Sequence, residues 1–193
     1  MNDALIRGSF RKKRLNKYET DSNSRIIEEL GLNHGTIRAD IAVANGILKG
    51  YEIKSELDTL ERLPKQSEAY SSIFDEVTLI VAAKHLSKAE RIVPEWWGIC
   101  VAEVGTRGAI KFSSYQKPKA NKDVNLLSLA RLLWRKEAAQ LLKQNGIKGS
   151  ILSQGRETLY QELSNLLDHK ALRAFVCDTL KHRPFWRDHL QPS

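Results

Sequence analysis

The chain of 193 residues carries 31 Lys and Arg against 23 Asp and Glu, a net charge of +8 with a pI near 9.5, and 41% of it is apolar. That balance suits one domain with an appendage or two small ones, and it excludes a disordered or fibrous chain. The basic excess favours a polyanionic partner.

Cys100 and Cys177 lie far apart with no CxxC or Cys/His spacing, so they read as reduced core thiols. Met1-Asn2-Asp3 opens no signal peptide, and no run approaches the roughly 20 apolar residues of a membrane span. A cytoplasmic protein without a membrane partner is expected.

In chain order, residues 3–18 form a first helix, with Leu5, Ile6, Phe10 and Leu15 apolar and Arg7, Arg11, Lys12, Lys13, Arg14 and Lys17 basic. Such a cluster is either a solvated face or a phosphate contact, with Lys12 and Lys13 foremost in the second case. Asp21 or Ser22 is placed to cap a second helix over 23–30, closed by Gly31. Its apolar residues are Ile26, Ile27 and Leu30, and of Glu28 and Glu29 one lies near that stripe. Asn33-His34-Gly35 turns into a strand over 37–44, Asn45-Gly46 is a strong turn signal, and 47–55 is the return strand.

Register decides whether the carboxylates of this hairpin meet. A two-residue turn pairs Ala44 with Ile47 and puts Asp40 and Glu52 on opposite faces; a three-residue turn pairing Val43 with Ile47, or a bulge at Gly50, gives them a common face. Pro64 starts a helix running to about Phe74, on which Gln66 and Tyr70 share a face. Residues 76–83 (EVTLIVAA) read as a strand buried on both sides, 86–93 as a short helix stopped by Pro94, and 97–104 and 109–115 as further strands. QKPKANKD over 116–123 reads as a linker. Helical periods then dominate, in the Leu-rich text from 126 to 134 and over 138–144, 157–167 and 171–180.

Two carboxylates embedded in apolar strands are costly unless compensated, since at about 4 Å and an effective dielectric near 20 they repel by roughly 4 kcal/mol. Pairing of Asp40 with Arg38 and of Glu52 with Lys54 would relieve this. So would Mg²⁺ or Mn²⁺ held by Asp40, Glu52 and the Ile53 carbonyl, which would activate water for attack on a phosphate. Lys54, two residues from Glu52, points to the same side and could orient that water.

Asp40, Glu52-x-Lys54 and Gln66-Ser67-Glu68-Ala69-Tyr70 resemble the PD-(D/E)XK nuclease superfamily, in its RecB-like QxxxY branch and within it a group of small, little-characterised bacterial and phage proteins. The resemblance spans about 24–99, with Ala39 in place of the signature proline. It implies a restriction-endonuclease-like αβββαβ core over 20–115, preceded by the basic helix 1–19 and followed by a linker 116–124 and a helical domain 125–193. It also implies a Mg²⁺- or Mn²⁺-dependent DNA nuclease, a hydrolase of phosphodiester bonds. In it Asp40, Glu52, Lys54, Glu29 and Gln66 would be catalytic, with metal on Asp40, Glu52, Ile53 and Glu29, and Tyr70 and Arg38 near the substrate. It leaves open endonuclease or exonuclease action and the pathway, whether phage defence, repair or mobile-element processing.

His34 reads as a turn residue, His85 as a strand-end residue, and Trp96-Trp97 as a core anchor rather than a base-stacking pair. Residues 141–167 resemble a helix-extension-helix, or SAP-type, DNA-binding motif with Lys143, Lys148 and Arg156 available to phosphates. A helical cap or a homodimer surface explains the same text. The competing functions are a non-catalytic DNA-binding or regulatory module on a degenerate nuclease fold, and a structural partner in a phage-related assembly.

Overall fold

The computed structural model describes residues 1–184; the last nine residues of the expected helical domain lie outside them. The N-terminal helical segment runs from α1 (Asp3–Phe10) through a π-helical stretch at Arg11–Leu15 to α2 (Asn16–Glu19). Three strands follow, β1 (Arg25–Leu32), β2 (Ile37–Asn45) and β3 (Ile47–Lys54), then α3 (Leu63–Ser71), β4 (Glu76–Ala82), the short α4 (Leu86–Ala89), β5 (Gly98–Val104) and β6 (Ile110–Gln116). The helices α5 (Leu126–Ala130), α6 (Arg135–Gln144), α7 (Arg156–Leu166) and α8 (His169–His182) follow. The expected αβββαβ order is present within a mixed α/β architecture, and its first helix is the basic N-terminal one.

The six strands form one sheet in sequence order. The β1–β2, β2–β3 and β5–β6 pairs are antiparallel, whereas β3–β4 and β4–β5 are parallel. Helix α3 supplies the β3–β4 crossover that a parallel pair needs.

The helix expected over 23–30 is corrected to a strand. Ile26 and Ile27 lie in β1, which pairs with β2 from Arg25 opposite Ala44 to Leu32 opposite Ile37. The ladder steps from Glu28–Ile41 to Leu30–Ala39, and Glu29 between them has φ of 56°. This break in alternation lets Ile27 and Leu30, three apart, enter the same apolar cluster, which is why the text mimics a helical period. Asp21 caps no helix. It accepts from the Asn23 N–H at 2.9 Å and the Ser24 hydroxyl at 2.6 Å, shaping the turn into β1.

The sheet separates two apolar layers. On one face Ala42, Ala44, Leu48, Leu79 and Val81 pack with α3 and with α5 to α8, so the C-terminal helices share a continuous core with the sheet. On the other, Ile6, Phe10 and Leu15 of the N-terminal segment cover Ile41, Val43, Tyr51, Ile53, Ile80 and Phe112. Alternating burial on both faces makes β4 the continuous apolar strand expected. Gly50 is required by close approach, since a Cβ there would lie 2.6 Å from the Phe74 ring. Trp97 is fully buried against Tyr70 and anchors the core.

Asp75 ties α8 to the sheet. It accepts from the Leu48 N–H at 2.7 Å and pairs with Arg173 at 2.9 Å. Among the described residues no helix is long and apolar enough to cross a membrane.

Candidate functional site

The β2–β3 turn follows neither of the two registers considered from sequence. Asn45 pairs with Ile47 across Gly46, whose φ of 66° suits the residue that has no Cβ, and the ladder continues to Ile41 opposite Tyr51. One step further the register brings Asp40 across from Glu52. There the strands part. The Ile53 N–H donates not to a backbone carbonyl but to the Asp40 carboxylate, at 2.7 Å.

Asp40 therefore fills the fork between the strands, and its second carboxylate oxygen accepts from Arg7 at 3.1 Å. Arg7 comes from α1, where Asp3 lies one turn earlier and pairs with it at 3.1 Å. The same guanidinium reaches Glu29 at 3.1 Å and donates to the Asp40 carbonyl at 2.8 Å. Three carboxylates thus share one arginine. The positive φ of Glu29 places this residue at the kink in β1, opposite Asp40 in an unshifted register, beside that cation.

Glu52 is served from the opposite face. Its carboxylate accepts from Lys54 at 2.6 Å, from the Gln66 amide at 2.5 Å and from the Tyr70 hydroxyl at 2.5 Å. The Tyr70 oxygen also accepts the Asp40 N–H at 3.1 Å, so one buried phenol links the two acidic residues. Glu52, Lys54, Gln66 and Tyr70 are all buried. The Gln66 carbonyl oxygen is buried with no hydrogen-bond partner.

Burial, and then the charge of Glu52, push the Asp40 carboxyl up to about 7, against the pull of the Ile53 N–H and Arg7 in the other direction. Burial works against the charged form of Arg7, but the hydrogen bond it donates to Asp3 and the charges of Asp40, Asp3 and Glu29 outweigh it and raise its pKa. Burial and the Glu52 charge hold the Tyr70 phenol well above its ordinary value, which keeps it a donor.

All four oxygens of the Asp40–Glu52 pair already accept a donor, so a divalent ion at this pair competes with Arg7 and Lys54 for the same atoms. Among the described residues no group of three or more His, Cys, Asp or Glu is arranged to hold a metal ion. What the cluster does as it stands is fasten the N-terminal helix and α3 to the same strand fork.

The fold brings Asp40, Glu52, Ile53, Lys54, Gln66, Tyr70 and Glu29 together. It leaves Arg38 and Lys12 exposed on the surface and Lys148 on the turn between α6 and α7. Lys13 donates to the Ile110 carbonyl at 2.6 Å. His34 has φ of 59° in the β1–β2 turn and pairs with Glu157 of α7 at 2.6 Å. Sequence reasoning missed Arg7. Its only signal was Asp3 one turn before it on a helix rich in cations, a spacing that many surface helices share.

Fold and site together define a mixed α/β protein whose central carboxylates are neutralised from within by one arginine and one lysine. Residues 11–191 match the family described as Bacteriophage P4 protein cII, and the chain belongs to that family. Protein cII of Enterobacteria phage P4 is 31% identical over 180 residues, an alignment covering 93% of this chain and 65% of that protein. The chain therefore spans a little under two thirds of that relative's length. Among solved structures, the SPO1766 protein of unknown function from Silicibacter pomeroyi superposes with a TM-score of 0.43 at 18% identity, covering 75% of this chain and 92% of that one.

The family membership corrects the nuclease resemblance. Asp40, Glu-x-Lys and QxxxY are short enough to arise in a strand fork stabilised in this way, whereas the match to the phage P4 family extends over nearly the whole chain. Neither description names an enzyme, and the expected deoxyribonuclease activity falls with the resemblance that implied it. So do the endonuclease, repair and phage-defence settings.

Proposed function

We propose that this chain is a non-catalytic, regulatory DNA-binding protein acting in the cytoplasm. The observation that carries the reading is the unit formed by α6, the turn through Gly146 and Gly149, and α7. It presents Lys143, Lys148 and Arg156 to solvent, and no ion pair engages any of the three among the described residues. Both glycines have positive φ, 86° and 82°, which sets the bends of a connection that then takes a 3-10 turn over Ser150–Ser153. Exposed cations on a rigid helix pair suit a phosphate backbone, and the net charge of +8 favours the same partner at long range. The contrast with Asp40 and Glu52 supports binding over catalysis, because those carboxylates are occupied in holding the fold.

Anisotropy of a labelled 20-base-pair duplex tests this. Wild type should bind with a steep salt dependence, and Lys143→Gln/Lys148→Gln/Arg156→Gln should lose at least tenfold in affinity while keeping its melting temperature. Absence of salt-sensitive binding by wild type would refute the reading.

Divalent-cation binding at Asp40, Glu52 and the Ile53 carbonyl, with Glu29 as a further ligand, is a separate proposal, since it requires Arg7 and Lys54 to yield. Calorimetric titration of Mn²⁺ into wild type and Asp40→Ala decides it. Heat that depends on Asp40 supports the ion, and identical blank titrations dismiss it.

A further inference from the structure

The N-terminal segment and the β5–β6 hairpin enclose an open cleft of about 400 Å³ at the outer edge of β6. Four cations line it, Lys13 and Arg14 from the π-helical stretch and Arg107 and Lys111 from the hairpin, together with Thr106 and Phe112 and no carboxylate. Glu103, which faces Lys111 across the ladder, is exposed but does not line the cleft.

Two of these cations are fixed in place without being neutralised. Lys13 donates to the Ile110 carbonyl at 2.6 Å and Arg14 to the Phe112 carbonyl at 2.8 Å, both on the outer strand β6. A neutral amide oxygen orients a cation but leaves its charge uncompensated. These contacts also occupy carbonyls of an edge strand that would otherwise invite another strand. The other two cations meet no ion-pair partner among the described residues, and the hairpin tip that carries Arg107 is closed by the Gly108 N–H donating to the Gly105 carbonyl at 2.9 Å. Four like charges held around one concavity repel one another, and an anion of extended form relieves all of them at once.

We infer that this cleft is a second nucleic-acid surface, gripping the phosphodiester backbone of duplex DNA at a place remote in sequence from the α6–α7 unit. The Thr106 hydroxyl adds a neutral donor beside the cations, the mixture that positions a phosphate without reading sequence. The inference rests on the DNA-binding reading above, and its test separates the two.

The experiment measures anisotropy of the same labelled duplex from 50 to 300 mM salt with the full chain. The Arg107→Gln/Lys111→Gln variant spares the lysine and arginine that brace β6. It is expected to bind about tenfold more weakly and to flatten the slope of log K against log salt by about 1.8, the loss of two phosphate contacts. A charge-matched control, Lys88→Gln/Lys170→Gln, removes two exposed lysines elsewhere and is expected to leave the slope within about 0.5 of wild type. Binding that survives the cleft substitutions but is lost with the α6–α7 triple variant would overturn this inference and leave the DNA-binding reading standing. Equal weakening by the control would overturn it too, since net charge alone would then account for the effect. Failure of wild type to bind at all would overturn both.

Discussion

Replacing Asp40 by Asn removes a titrating group from the β2–β3 fork while keeping an oxygen for the Ile53 N–H. In the folded chain the Asp40 carboxyl is raised from 3.8 to about 7, because it is buried and faces Glu52. The folded state therefore holds this proton more tightly than the unfolded one. The stability it contributes is complete below about pH 4, declines as pH rises, and is lost above about pH 7. Over that window the linkage amounts to about 4 kcal/mol. Relative to Asp40→Asn, wild type should therefore lose about that much between pH 4 and pH 8. Urea unfolding at 25 °C, followed by the fluorescence of buried Trp97, gives the difference at each pH, and unchanged m-values would show that the folded and unfolded states stay comparable. A difference between wild type and Asp40→Asn that stays flat from pH 4 to pH 8 would refute the reasoning, whatever the absolute stabilities.

Arg7→Met removes the cation shared by Asp3, Glu29 and Asp40, so carbon-detected NMR should find the Asp40 carboxyl titrating at higher pH than in wild type; an unmoved midpoint would mean that Arg7 does not sense it. Tyr70→Phe deletes the hydroxyl that donates to Glu52 and accepts from the Asp40 N–H, and should cost about 1–3 kcal/mol in chemical denaturation because both groups are left short of a partner. Gly50→Ala sets a methyl 2.6 Å from the Phe74 ring and should destabilise by about 1–3 kcal/mol, with the loss eased when Phe74→Leu is added in a double-mutant cycle.

A likeness built on a few spaced residues tracks what those residues need locally. Asp40, Glu52-x-Lys54, Gln66 and Tyr70 do converge, as the motif suggested, but they converge as a hydrogen-bonded set whose charge is met by Arg7 and Lys54. Only Lys54 of those two cations was visible beside its partner. Arg7 is 33 residues from Asp40 and reaches it because the N-terminal helix packs across the sheet. The basic helix was legible as a helix, yet its division of labour was not. Ile6, Phe10 and Leu15 hold it down, Arg7 enters the fork, and Lys13 and Arg14 lean on β6.

The sequence by itself determined the elements whose cause is local. Asn45-Gly46 made the turn because Gly46 takes a positive φ freely, Pro64 opened α3, the apolar run from Val77 to Ala82 made a strand buried on both faces, and the Leu periods after 126 made four helices. The tertiary structure alone decided β1. Ile26, Ile27 and Leu30 satisfy a helical period, and only pairing with β2 on both sides of the kink at Glu29 makes the strand the better use of their hydrogen bonds and apolar surface. It also decided the fate of the carboxylates, because the energy of a buried charge depends on which cation the fold brings to it, and that cation came from a helix on the far face of the sheet.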